Sequence, residues 1–261
     1  MSTPSSSEVT VEQKVENEET KEDDLTPESV EKPEKSTEKP EKVETAAEEV
    51  KFFRTKKIRF GPIDYQIVTQ NANGPCPLIA LVNALVLKGK IEIPQNYAIN
   101  SKDLLNLLTN LILSRVPTSD DDVETYENNL RDVLTILPTI VNGLDVNVQF
   151  SAVNKFEFTS ALSLFDLVSV NLYHVWLPDP QFTVVYDLVR NLNYNELVEK
   201  MFQENDEAQL LQNFHEETIS QITFHGLATL LGTMKDGELS VVFHNNHFST
   251  ILKRRNFKIP L

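Results

Sequence analysis

The chain has a single cysteine, Cys76, in 261 residues. A lone thiol can form no internal disulfide and no cysteine-rich zinc site, and it fits a reducing compartment. Basic residues are also scarce. The 24 Lys and Arg against 39 Asp and Glu leave a formal charge of −15, which argues against a general nucleic-acid binder because phosphate contacts need clustered cations. A protein partner is expected instead. Long apolar runs are missing too, and the N-terminus has no basic segment followed by an apolar one, so neither a transmembrane helix nor a secretory signal is readable. These absences lead to the expectation of a soluble, monomeric protein of the cytoplasm, with the nucleus as a second compartment and no membrane association.

Aromatic residues are absent from residues 1–51, which hold 16 Asp or Glu, 7 Lys, four prolines and the repetitive stretch EKPEKSTEKPEK. Such a segment cannot bury enough apolar surface to offset the entropy of ordering it. Residues 1–51 are therefore expected to be a disordered acidic tail, carrying about −9 of the −15. Globular patterning begins at Phe52, and the length allows one ordinary domain over 52–261.

Within that domain, residues 63–69 read as an extended segment that runs into the polar stretch QNANGPCP at 70–77. Helical periodicity then starts abruptly with LIALVNALVLK and stops at Gly89, a good C-terminal cap residue. Further helices are expected at 101–115, 126–140, 160–170, 194–202, 206–218 and 224–234, and β-rich runs at 145–150, 184–188, 238–243 and 248–253. Helices early and a strand pair late give an α+β domain.

The turn N-G-P-C-P places Cys76 at or just before a helix N-terminus, where free backbone N–H groups and the helix dipole favour negative charge. The thiolate is the reactive form of cysteine. Gly74 permits an unusual backbone angle, and Pro75 and Pro77 stiffen the turn. Far away in sequence, HNNHF at 244–248 lies between two β-rich runs and offers a base, either His244 or His247. His247 is followed by the alternating FSTIL, which can hold it on a rigid strand. Gln70, six residues before Cys76, has the type and spacing of an oxyanion-stabilising amide. Two histidines with no third ligand nearby do not make a zinc site, and the chemistry needs no metal or cofactor.

Six blocks in order, QNANGPCPL (70–78), GLDVNVQF (143–150), LYHVWLPDP (172–180), LNYNELVEK (192–200), FHGL (224–227) and VFHNNHFST (242–250), resemble the MINDY deubiquitinases. The resemblance implies a papain-like cysteine protease variant that hydrolyses isopeptide bonds in polyubiquitin, preferring chains joined through ubiquitin's lysine forty-eight. It implies Cys76 as nucleophile, His247 as base and Gln70 as oxyanion donor, with Asp145, Val146, Trp176, Tyr194 and Phe243 contacting ubiquitin. The sequence stops at Leu261, soon after the histidine strand, whereas domains of the family continue through further strands. Two expectations follow for the catalytic domain over 52–261: either it is truncated at its C-terminal end, which would leave an exposed strand edge, or the tail is shorter in this member. An inactive or truncated polyubiquitin-binding module of the same fold is the alternative function.

Overall fold

A computed structural model describes residues 50–70, 76–114 and 120–254. The acidic tail expected over 1–51 lies outside the described residues as far as position 49, and so do residues 71–75, 115–119 and 255–261. Lys51 is tied to the domain: its backbone N–H donates to Ser101 Oγ at 3.2 Å, and its carbonyl accepts from the Ser101 N–H at 2.8 Å.

Two small sheets flank one buried helix. The first is antiparallel, in the order β2 (Ile63–Val68), β1 (Phe52–Phe60), β3 (Ala98–Asn100). The second has the order β4 (Leu172–His174), β5 (Leu239–His244), β6 (His247–Leu252), with β4 parallel and β6 antiparallel to β5. Between them runs α1 (Cys76–Leu87), which packs against β2, β5 and β6. A helix that is apolar all round belongs in a core, and every residue of α1 from Pro77 to Val86 except Asn83 is buried. The helix ends where Gly89, at φ +66°, donates to the Val86 carbonyl and Lys90 to that of Leu85. Only a residue without a Cβ takes that left-handed angle without strain.

The remaining helices wrap this centre: α2 (Ser101–Leu113), α3 (Asp120–Ile136) with a 3-10 turn at Leu137–Asn142, α4 (Ser163–Leu167), α5 (Thr183–Val189), α6 (Tyr194–Met201), α7 (Asp206–Glu217) and α8 (Phe224–Thr233). Side-chain caps set several starts. Asn100, Asn193, Asn205 and Thr223 each accept from a backbone N–H in the first turn of the helix that follows. A second, smaller cluster joins Tyr173 and Val175 to Leu230 and Met234, seating α8 beside β4.

Most expected elements are present, with four corrections. Residues 184–188, expected as a strand, lie in helix α5. An apolar run this short fits either period, and a strand there would have to find a neighbour for its backbone groups, whereas a helix satisfies them internally. Residues 145–150 form no named strand, only single bridges from Val148 to Phe156 and from Gln149 to Asn193. The helix expected at 160–170 shrinks to Ser163–Leu167, and the one at 126–140 begins earlier and gives way to the 3-10 turn at Leu137, just before Pro138. Strands β1, β3 and β4 have no counterpart among the sequence expectations. No described helix is long and apolar enough to cross a membrane.

Candidate active site

Cys76 is the first residue of α1 and is half-buried, lining a cleft of about 640 Å³. The hairpin of β5 and β6 lines the cleft beside it. Its loop is Asn245-Asn246, both at positive φ (48° and 58°), as a two-residue type I′ connection demands and as asparagine tolerates. The loop fixes the pairing of His244 with His247 and of Phe243 with Phe248. The Phe243 and Phe248 rings sit 5.0 Å apart and line the cleft together with Asn246. The Cys76 Sγ–H points at the Asn246 carbonyl at 3.9 Å. The expected nucleophile thus meets the main chain immediately before the expected base.

His247 itself is exposed and is not among the residues lining the cleft. Strand alternation puts it on the other face of the pleat from Phe248. His244 is half-buried and shares the face of His247. Gln70, two residues beyond β2, is exposed.

The four residues expected to meet ubiquitin at Asp145, Val146, Tyr194 and Phe243 all line the cleft. Trp176 does not. It is 1% exposed, its ring lies 5.7 Å from that of Tyr194 and 5.2 Å from that of Phe150, and its Nε1 donates to Thr218 Oγ1 at 2.7 Å. It backs the cleft wall rather than forming its surface. Tyr194 is delivered by the start of α6. Asn193 Oδ1 accepts from the Glu196 N–H while Glu196 Oε2 accepts from the Asn193 N–H, at 2.9 and 2.8 Å, and the Tyr194 N–H donates to the Val148 carbonyl at 3.0 Å.

The wall segment 145–150 is held from below by His174, which lies on β4 and is fully buried. Nδ1 accepts from the Trp176 N–H at 3.3 Å, so the ring proton is on Nε2 and donates to the Gln149 carbonyl at 3.1 Å. Burial lowers the pKa of His174 to about 4 against the opposing pull of its backbone hydrogen bonds, so the ring is neutral at physiological pH.

Three further contacts support the site; of their side chains only Thr250 is among those expected near it, as a candidate with Asn245 and Asn246 for orienting His247, and its hydroxyl goes to α1 instead. Thr250, on β6, donates through Oγ1 to the Ala80 carbonyl of α1 at 2.8 Å. This ties the strand that carries His247 to the helix that carries Cys76. Asn83, on the next turn of α1, holds the main chain of Val68 on β2, two residues before Gln70. Lys51 also lines the cleft, where Nζ donates to the Val141 carbonyl and to Asn142 Oδ1. The one readable signal was Asn83, the only polar residue between Pro77 and Leu87. Among the described residues no group of three or more His, Cys, Asp or Glu is placed to hold a metal ion.

The half-buried thiol at a helix start, an open cleft and a histidine hairpin form an arrangement suited to acyl transfer on an extended polypeptide. Residues 51–259 match the family of MINDY deubiquitinases. Among similar proteins, ubiquitin carboxyl-terminal hydrolase MINDY-1 of Bos taurus is 41% identical over 79% of this chain and 46% of its own length, and its counterpart from Homo sapiens 40% over 81% and 48%. MINDY-2 of Mus musculus is 39% identical over 77% of this chain and 35% of its own length. The chain thus spans about half the length of the MINDY-1 proteins it matches. With nearly the whole domain covered by one family pattern, and the thiol, cleft and hairpin assembled around one helix, the chain belongs to the MINDY deubiquitinase family.

Proposed function

We propose that this chain is a cysteine-type deubiquitinase of papain-like design that hydrolyses isopeptide bonds in polyubiquitin, with preference for chains linked through lysine forty-eight. The observation that carries the reading is the seat of Cys76: first residue of a buried helix, half-buried in a cleft that it lines together with Asn246 and Phe248 of the hairpin that carries His247.

On this reading the Cys76 sulfur, its proton taken by His247, attacks the carbonyl carbon of ubiquitin's C-terminal glycine. The tetrahedral oxyanion is met by the Gln70 amide and the Cys76 N–H, each donor worth about 3 kcal/mol in comparable sites. Collapse breaks the C–N bond, His247 returns the proton to the departing lysine amine, and a thioester remains. Water, deprotonated by His247, then releases the ubiquitin carboxylate and restores the thiol. Asp145, Val146, Tyr194 and Phe243 would grip ubiquitin along the cleft, with Trp176 stiffening Tyr194 from behind. The Cys76 thiol donates to the Asn246 carbonyl in the free protein, so the step requires the turn and the His247 side chain to readjust when substrate enters, a tightening common in enzymes without ligand.

The exposed position of His247 also favours a second reading, a polyubiquitin-binding module without turnover. A linkage panel of tetraubiquitins with the wild type and Cys76→Ala separates the two. The deubiquitinase reading expects cleavage of the lysine-forty-eight chain that Cys76→Ala abolishes, and loss of activity in His247→Ala but not in His244→Ala. Chain binding without cleavage by the wild type would support the module.

A further inference from the structure

We infer that Asn83 is a positioning residue for the oxyanion donor, holding the strand that leads to Gln70 against the helix that presents Cys76. The inference rests on the functional reading above.

Asn83 is out of place by composition. It sits in the middle of a helix whose neighbouring residues, Leu78–Val82 and Ala84–Val86, are all buried hydrophobics. Asparagine is a weaker helix former than leucine, and the half-buried amide of Asn83 loses part of its hydration, a cost that is offset when its polar groups find partners. Both find the same residue. The Val68 N–H donates to Asn83 Oδ1 at 2.9 Å, and Asn83 Nδ2 donates to the Val68 carbonyl at 2.9 Å.

Val68 needs such a partner. It is 2% exposed and ends β2, the edge strand of the first sheet. Toward β1, the chain is held one residue on, where the Thr69 N–H and hydroxyl both donate to the Arg54 carbonyl. The backbone groups of Val68 face α1 instead, and a buried N–H and C=O cannot be left unpaired. The asparagine amide supplies what a neighbouring strand would have supplied, in the geometry of a ladder.

The clamp is therefore a fixed point common to two chain segments. Gln70 lies two residues from it, about 6.6 Å of extended chain, and Cys76 lies seven residues from it, about 10.5 Å of helix. The chain itself joins donor to nucleophile through residues 70–76, and the clamp adds a non-covalent tie between the two segments that carry them. An oxyanion donor acts only within about 2.7–3.1 Å of the developing charge, and a misplacement of about 1 Å can cost on the order of 10²-fold in rate. A bond pair that fixes β2 against α1 thus acts on the transition state through Gln70, while the residues that grip ubiquitin, on other elements, are left in place.

The experiment is a double-mutant cycle in the full chain, with kcat and KM measured on lysine-forty-eight-linked tetraubiquitin for the wild type, Asn83→Leu, Gln70→Ala and the double variant. Leucine keeps the volume and the helix but removes the clamp. The expected result is a fall in kcat of about tenfold to 10²-fold for Asn83→Leu with KM unchanged. In the Gln70→Ala background the same change should cost less than about twofold, because the donor it positions is gone. Asn83→Asp, isosteric and still able to accept from Val68, runs through the same cycle if the leucine variant does not fold; its smaller loss should vanish in the Gln70→Ala background too. Equal fold-losses in both backgrounds, in an active protein, would overturn the inference while leaving the functional reading intact. A wild type that leaves every tetraubiquitin uncut would overturn the functional reading and this inference with it.

Discussion

Glu238 stands just before β5, and its carboxylate joins the two strands on which the histidine hairpin depends. Oε1 accepts from Asn171 Nδ2 at 2.7 Å, from the Tyr173 hydroxyl of β4 at 3.0 Å and from the Ser240 hydroxyl of β5 at 2.7 Å, while Oε2 accepts from the Lys235 N–H at 2.7 Å. Burial pushes its pKa upward, but the hydrogen bonds outweigh burial and bring it from 4.5 down to about 2. At about 1.4 kcal/mol per tenfold, that gap is worth about 3 kcal/mol of stability at neutral pH, nearer 2 because the carboxylate keeps part of its surface in water. The folded value lies below the unfolded one, so this contribution is whole above pH 4.5 and drains away as pH falls toward about 2. Glu238→Gln should therefore unfold about 2–3 kcal/mol more easily than wild type at pH 7, and only about 1 kcal/mol more easily near pH 3. Urea unfolding followed by the fluorescence of the single tryptophan, at both pH values, measures the difference. A gap that is the same at both, or smaller than about 0.5 kcal/mol at pH 7, would show that the carboxylate is not the fastener described here. Tyr173 gives the mirror-image limb: burial first, then Glu238, raise its pKa to about 12, so its contribution is whole below pH 10 and is lost as pH climbs toward 12.

A methyl group at Gly226 would stand 1.9 Å from the Val175 carbonyl oxygen and 2.5 Å from its carbon. Backbone cannot give way as a side chain can, so Gly226→Ala should force α8 off β4 and cost more than about 3 kcal/mol, read as a large drop in melting temperature or loss of soluble protein; an unchanged melt would contradict the packing. Thr250→Val removes the hydroxyl that joins β6 to the Ala80 carbonyl while keeping the side chain's shape. It is expected to cost about 1 kcal/mol of stability and to lower kcat severalfold at constant KM, with Thr250→Ser retaining activity. Equal activity of Val and wild type would free this contact of any role in aligning the site.

Much of the site's parts list was legible because each part obeys a local rule. The apolar run from Leu78 and the stop at Gly89 mark a helix whatever the rest of the chain does. Alternation and an Asn-Asn pair mark the hairpin. Where local rules allow two answers, the sequence misleads. TVVYDLV at 183–189 suits a strand or a helix equally, and became a helix. GLDVNVQF at 143–150 alternates like a strand but forms only single bridges, its backbone hydrogen bonds being shared between two short neighbouring segments, Lys155 and Glu157 in one and Leu192 and Tyr194 in the other. Trp176, a ubiquitin contact by resemblance and equally readable as a core aromatic, is buried behind the cleft wall.

Short-range chemistry along the chain was enough to specify a thiol at the head of a buried helix, a histidine at the end of a hairpin and an amide upstream, because capping, turns and hydrophobic periodicity act over a few residues. Their mutual placement is another matter. That Asn246 rather than the imidazole of His247 faces the sulfur, that Thr250 and Asn83 lash two strands to α1, and that His174 and Trp176 prop the cleft from inside all depend on contacts between segments as much as 170 residues apart. No window of sequence contains both ends of such a contact, so the packing of the whole domain decides it.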